Sequence, residues 1–275
     1  MTSAALRLLH SERPLVIGHR GYARFSPENT LPSIELAMAA GADLVEFDYR
    51  HSQDGVPVLI HDADLDRTTD ARRRWGGKRI KVESKTAAEI QTLDAGAWFH
   101  PRYTGTKVPL LEEALECVAR RSMALIERKA GDATTCARLL RAKKLVNHVV
   151  VQSFDWQFLR ALHGELPEQV LAALGPPSRL PNGRKPRNVR RRLSGGWLDR
   201  MAETGAKVIV WGRLISGRAV RAAHERDLKV WIYTVDKPQL AARLIELGVD
   251  GIITNNPSAM WRLIALRARK SEDAR

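Results

Sequence analysis

The 275-residue chain has only two cysteines, Cys117 and Cys136. Both fall in stretches that read as helical, so a disulfide or a zinc site is not expected and both thiols read as reduced packing residues. Long apolar runs are also missing. No uninterrupted stretch approaches the roughly 18 residues that a spanning helix needs, and the apolar piece Ala4 to Leu9 is broken by Arg7 and is shorter than a signal-peptide core. A soluble, cytoplasmic protein is therefore expected. Aromatic residues are sparse at 6%, and the most basic stretch has none before Trp197, unlike the interleaved surface of a nucleic-acid module. Acidic residues are short as well: 31 Asp and Glu face 45 Lys and Arg, 33 of them Arg, for a net charge of +14. The segment Ser178 to Leu193 carries Arg179, Arg184, Lys185, Arg187, Arg190, Arg191 and Arg192 and no acid, which is half of that excess. It reads either as a solvated loop or as a basic patch for anionic substrates or an anionic membrane surface. At 44% hydrophobic the chain can bury a large core, which excludes fibrous and disordered classes.

Short β-rich runs alternate with helical patterns along nearly the whole chain, as in βα units around a parallel sheet. Eight strands are predicted: Leu15 to His19, Leu44 to Asp48, Ala124 to Lys129, Val149 to Phe154, Val170 to Leu174, Val208 to Trp211, Val230 to Val235 and Gly251 to Thr254. Helices are predicted over Leu31 to Ala40, Glu112 to Arg121, Ala133 to Lys144, Ala219 to Asp227 and Gln239 to Leu247. A further run, Val56 to His61, follows the second strand too closely for a crossover helix and reads as a hairpin arm around Asp54-Gly55. Eight units point to an α/β fold, a (β/α)8 TIM barrel spanning residues 1–275 as one domain, with a small insertion over about 62–109 and a basic loop at 178–193. A doubly wound open sheet is the alternative.

Glu46 and Asp48 lie two apart at a strand end, so both carboxylates point to one face, which in a barrel is the interior mouth. Carboxylates held together repel unless a cation lies between them, and Mg²⁺ or Ca²⁺ favours hard oxygen ligands. Glu127 and Lys129 repeat the spacing on the third strand, a third ligand and a cation for an anionic substrate. His19 closes the first strand in Gly18-His19-Arg20-Gly21, and His61 ends the hairpin arm. Two histidines beside a metal supply an acid and a base near neutral pH. His51 is out of phase with Glu46 and Asp48 and reads as a packing or surface residue. Asn29 is a candidate to orient a histidine or a metal ligand, while Glu28 and Thr30 read as helix caps.

Taken together, Gly18-His19-Arg20-Gly21, Pro27-Glu28-Asn29-Thr30, Glu46-Phe47-Asp48, His61-Asp62, Leu65-Asp66-Arg67-Thr68-Thr69, Glu127-x-Lys129, Gln152-Ser153-Phe154-Asp155 and Gly248-Val249-Asp250-Gly251-Ile252-Ile253-Thr254 resemble the signature of glycerophosphodiester phosphodiesterases. The likeness covers almost the whole chain. It implies a (β/α)8 barrel that hydrolyses a glycerophosphodiester to sn-glycerol 3-phosphate and an alcohol. It further implies His19 and His61 as the acid/base pair, Glu46, Asp48 and Glu127 as ligands of Mg²⁺ or Ca²⁺, and Arg20 and Lys129 as phosphate contacts, with His19 favoured as base and His61 as acid. Three departures lie near the end of the chain: Tyr233 where the family usually has Trp, Asp236 where Asn is common, and Asn255 where Asp is common. They are expected to touch the alcohol group, and Tyr233 is read as a substrate contact. Alternatives are a lysophospholipase D type of cleavage at the same site and a noncatalytic barrel that binds phosphate or nucleic acid.

Overall fold

The aliphatic runs lie side by side as a ring of parallel strands in a computed structural model that describes residues 4–186 and 192–272. The strands are β1 (Leu15–Gly18), β2 (Leu44–His51), β4 (Met123–Arg128), β5 (Val149–Ser153), β6 (Val170–Gly175), β7 (Val208–Gly212), β8 (Lys229–Tyr233) and β9 (Gly251–Thr254), with β3 (Pro57–Leu59) antiparallel on β2. The ring closes because Ile17 of β1 registers with both Leu44 of β2 and Ile253 of β9. This is the expected barrel, not an open sheet. The strands end a residue or two earlier than predicted in β1, β4, β5 and β8. His19 and Lys129 nevertheless keep the inward phase, because their amides still donate to Thr254 O (2.8 Å) and Tyr49 O (3.1 Å) of the adjacent strands.

The two faces of each strand separate cleanly. Ile17, Leu44, Leu125, Val150, Ala172, Val210, Trp231 and Ile253 share one apolar cluster inside the ring. Their neighbours Val16, Val45, Ile126, Val151, Leu171, Ile209, Ile232 and Ile252 pack outward in a larger cluster with the surrounding helices. That alternation is the period of two that a strand imposes. Outside it, α2 (Leu31–Ala39), α5 (Leu111–Val118), α6 (Ala133–Ala142), α7 (Trp156–Glu165), α8 (Gly195–Ala202), α9 (Gly217–His224), α10 (Pro238–Glu246) and α11 (Pro257–Glu272) follow successive strands. Gly175 ends β6 where a Cβ would fall 1.7 Å from the Trp211 ring, so only glycine lets these two strands approach. The short α1 (Ala4–Leu9) puts Ala5 and Leu9 into the interior cluster and plugs the end where the strands begin.

Between β3 and α5 the insertion builds its own core from Leu65, Ala71, Val82, Ile90 and Leu93. It carries α3 (Ala71–Trp75) and α4 (Ala87–Gln91), the latter opened by a capping box in which the Thr86 hydroxyl accepts from Glu89 N and the Glu89 carboxylate accepts from Thr86 N. Cys117 and Cys136 are free and buried in α5 and α6. Among the described residues no helix is long and apolar enough to cross a membrane. Of the basic segment, Arg187, Arg190 and Arg191 lie outside the described residues.

Candidate active site

Following the inward stripe toward the strand ends replaces aliphatic residues with chemistry. On β2 the stripe runs Leu44, Glu46, Asp48; on β4 it runs Leu125, Glu127 and then Lys129; β5 adds Gln152 above Val150. Register brings them together, since Asp48 pairs with Glu127 and Glu127 with Gln152. Glu46, Asp48 and Glu127 are all buried, with ligand oxygens within 4.8 Å of one another. His19, Arg20, Glu46, His61, Glu127, Lys129 and Tyr233 line one pocket of about 250 Å³, and Asp48 lies beneath it. The two histidines, the phosphate contacts, Tyr233 and the three carboxylates named from the sequence thus come together at this pocket.

Burial and mutual repulsion govern the carboxylates. Desolvation, reinforced by Asp48 and Glu127, pushes Glu46 well above the ordinary carboxyl range. Glu127 is raised to about 7, first by burial and then by Asp48. Asp48 goes the other way, to about 2: burial opposes ionisation, but Lys129, Arg20, His61 and a hydrogen bond from Asn29 outweigh it. Asp48 Oδ1 and Glu127 Oε1 accept no hydrogen bond, although Lys129 Nζ lies 3.2 Å and 2.5 Å away as an ionic partner. Three buried carboxylates with ligand oxygens this close, and only one ammonium between Asp48 and Glu127, are a fitting cradle for a hard divalent cation. Gln152 donates to Glu46 Oε1 at 3.3 Å, a site residue that the sequence pattern did not single out.

The loop after β1 is strained in a way that serves the cluster. Arg20 and Asn29 both take left-handed backbone angles, φ 53° and 57°. Arg20 N donates to Glu46 Oε2 at 2.7 Å, and Asn29 N donates to Arg20 O. At Gly21 (φ 84°) a Cβ would sit 2.2 Å from Ser33 Oγ. Asn29 orients the acid below: its Nδ2 donates to Asp48 Oδ2 at 2.9 Å, and its Oδ1 accepts from Asp48 N at 3.0 Å. Glu28 and Thr30 do not cap α2. The Thr30 hydroxyl donates to Pro27 O, and Glu28 is drawn away by two guanidinium groups, Arg20 (2.8 Å) and Arg67 (2.7 and 2.9 Å).

Each histidine has a different second partner. His61 Nδ1 meets Asp62 Oδ1 at 2.7 Å, and Arg67 Nε grips the other oxygen of Asp62 at 2.6 Å. His19 Nδ1 meets Asn255 Oδ1 at 2.7 Å, and Asn255 is bonded in turn to Asp236. Two of the three departures at the end of the chain are therefore bonded to each other, and one of them, Asn255, to His19; both also line a second pocket with His19, Arg20 and Glu28. Both rings are held below the ordinary histidine value. Burial dominates in each, then Arg20 lowers His19 further, whereas Asp48 opposes the shift at His61. Tyr233 lines the pocket, packs edge-on to Phe154 and donates to Gly175 O at 3.0 Å. With Thr234 it also borders a groove of about 670 Å³ formed by Gly175, Pro176, Gly212, Arg213 and Leu214. His51 stacks on Tyr49 and is absent from the pocket.

A glycerophosphodiester phosphodiesterase of Bacillus subtilis is 29% identical to this chain over 93% of it and 88% of that protein. The solved glycerophosphodiester phosphodiesterase of Agrobacterium tumefaciens superposes with a TM-score of 0.73 at 29% identity, covering 90% of this chain and 98% of that one. An Oleispira antarctica phosphodiesterase, solved with its product sn-glycerol-3-phosphate, shares the fold at a TM-score of 0.79 and 24% identity over 94% of this chain and 99% of that one. Residues 19–259, from His19 to the first turn of α11, match the glycerophosphoryl diester phosphodiesterase family, and the chain belongs to that family.

Proposed function

We propose that this chain hydrolyses glycerophosphodiesters to sn-glycerol 3-phosphate and an alcohol, with His19 as general base and His61 as general acid. The observation that carries the reading is one pocket lined by two imidazoles, Arg20 and Lys129 above three buried carboxylates whose ligand oxygens lie within 4.8 Å of one another. Membership of the family supports it. Glu46, Asp48 and Glu127 would hold a divalent cation, Mg²⁺ or Ca²⁺, which when bound neutralises charge on the phosphate oxygens. Arg20 and Lys129 bind the phosphate and add to that neutralisation as the reacting phosphorus gains charge. His19, with a neutral amide on Nδ1, takes the proton of the attacking hydroxyl or water. His61, with a carboxylate on Nδ1, is the ring better suited to carry a proton and deliver it to the leaving alcohol. Asn29 keeps Asp48 facing the cluster. Tyr233 contacts the substrate at the junction of the pocket and the larger groove, which receives the alcohol.

The test is release of glycerol 3-phosphate from a panel of diesters and lysophospholipids, with and without Mg²⁺ or Ca²⁺. Turnover of glycerophosphocholine or glycerophosphoethanolamine that disappears on chelation and returns with the ion supports the reading. Turnover of lysolipids alone replaces it with the lysophospholipase D reading. Inertness toward the whole panel in the presence of either ion overturns both.

A further inference from the structure

Asn255 is fixed at both ends, and its orientation decides where His19 carries its proton. Asp236 follows β8 and Asn255 follows β9, neighbouring strands of the ring. One Asp236 oxygen accepts from Asn255 N at 2.8 Å and from Thr254 Oγ1 at 3.1 Å; the other accepts from Asn255 Nδ2 at 2.8 Å. A carboxylate accepts and does not donate, so the amide must present its NH2 to Asp236 and its oxygen to His19. An amide oxygen also only accepts. The His19 nitrogen 2.7 Å from it is therefore the protonated one.

We propose that Asp236 and Asn255 are a positioning pair for His19, holding the neutral ring with its proton on Nδ1 and its bare Nε2 available to the pocket. The inference rests on the reading of His19 as base, a role that requires an unprotonated Nε2. The pair places its charge away from the ring: the neutral amide touches the imidazole, and the carboxylate stands one residue further out. Other charges around His19 are Arg20 and Arg24 on its own loop, Glu28 before α2 and Asp48 on β2, with Glu46, His61, Glu127 and Lys129 lining the same pocket. Among these the ring meets no carboxylate through a hydrogen bond, in contrast to His61. A carboxylate moved into position 255 would favour the imidazolium and hold the base protonated to higher pH.

Two measurements on the full-length protein with saturating Mg²⁺ test this. Ring ¹H–¹⁵N spectra, taken without substrate, read the tautomer of His19 directly. Wild type should show Nδ1 protonated, and Asp236→Ala, which frees the amide to turn, should show a mixture of tautomers. In the same variant kcat should fall by about tenfold while KM changes little, as for the loss of an orienting partner. The pH profile of kcat/KM provides the second measurement. Asn255→Asp should move the acid limb up by about one to three units. The exchange Asp236→Asn with Asn255→Asp should do the same while leaving the total charge unchanged. Protonation of Nε2 in wild type, or an unaltered single tautomer in Asp236→Ala, overturns the positioning pair. The expected spectra with an unmoved acid limb uphold the pair and remove His19 from the base role, so the two failures are distinct.

Discussion

His61 has a carboxylate 2.7 Å from its Nδ1, and His19, lining the same pocket, has an amide at the same distance. The His61 side is anchored by charge. Asp62 is gripped by Arg67, Arg67 makes two bonds to Glu28, and Glu28 reaches Arg20, so an ionic chain runs from the insertion to the loop that follows β1. The His19 side is anchored by an amide that is held in turn by Asp236 at the exposed rim. Identical rings in one cavity are thereby made unequal, since a carboxylate on Nδ1 stabilises the imidazolium more than a neutral amide does. The insertion is part of this asymmetry, because Asp62 and Arg67 belong to it.

The hardest test of the inequality is removal of each ring. His19→Ala and His61→Ala should each lower kcat by at least about a hundredfold on a natural diester. On a diester with an acidic leaving alcohol such as p-nitrophenol, His61→Ala should recover most of its loss and His19→Ala should not. Recovery by His19→Ala instead would reverse the assignment. Next in size is the carboxylate that distinguishes the two sides. Asp62→Asn should reduce kcat by about 10- to 100-fold, the usual cost of losing an orienting partner, with a smaller loss on the p-nitrophenyl ester. Equal losses on the two esters would show that Asp62 does not act through proton delivery.

Between the rings lie the acids, and their response is read as stability. Glu127 is pushed up to about 7 from its ordinary value of 4.5, and Glu46 is pushed up as well. Over that window the unfolded chain gives up protons that the folded chain keeps, so stability without a cation should fall as pH rises from about 4.5 to 7. Asp48, held down at about 2, has the opposite sign, and its contribution is lost only as pH falls below its ordinary value of 3.8. A bound divalent cation needs the carboxylates ionised and should remove the decline. Thermal melts at pH 5 and 7 with EDTA or with Mg²⁺ or Ca²⁺ measure it. A Tm that is indifferent to the ions at pH 7 would speak against the cradle.

Much of this site was legible because strand geometry is local. Glu46 with Asp48, and Glu127 with Lys129, share a face by the period of two, and that needs no knowledge of the rest of the fold. Gln152 obeys the same phase, yet with no charged residue two positions away on its strand it formed no pair to single it out from the motif around it. The role of Asp236 and Asn255 needed the adjacency of β8 and β9, which brings together residues 19 positions apart in sequence. Glu28 looked like a helix cap because its ionic partner Arg67 lies 39 positions away. The plug α1 was visible only as a short apolar piece, since its partners are the starts of several distant strands.

The smallest effect expected concerns charges outside the pocket, and it should leave both rings as they are. Ser178 to Leu193 follows β6, and loops that follow barrel strands lie at the catalytic end. Its first residues join that face: Ser178 N donates to Phe154 O at 2.7 Å, and Trp156 N donates to Arg179 O at 3.0 Å. Pro176 and Arg213, from the loops after β6 and β7, border the groove beside the pocket. Exposed cations at such a mouth draw in an anionic diester over roughly a Debye length, about 8 to 10 Å at moderate salt, without taking part in chemistry. Arg184→Gln with Lys185→Gln should lower kcat/KM by about two- to threefold at low salt, a loss that closes as salt rises. Neither kcat nor the pH profile should move, because Arg184 bonds to Asn182 and Leu180 and not to the histidines or the acids. A shift in the acid limb would mean that the segment reaches His19 electrostatically; equality with wild type at low salt would reduce it to a solvated loop.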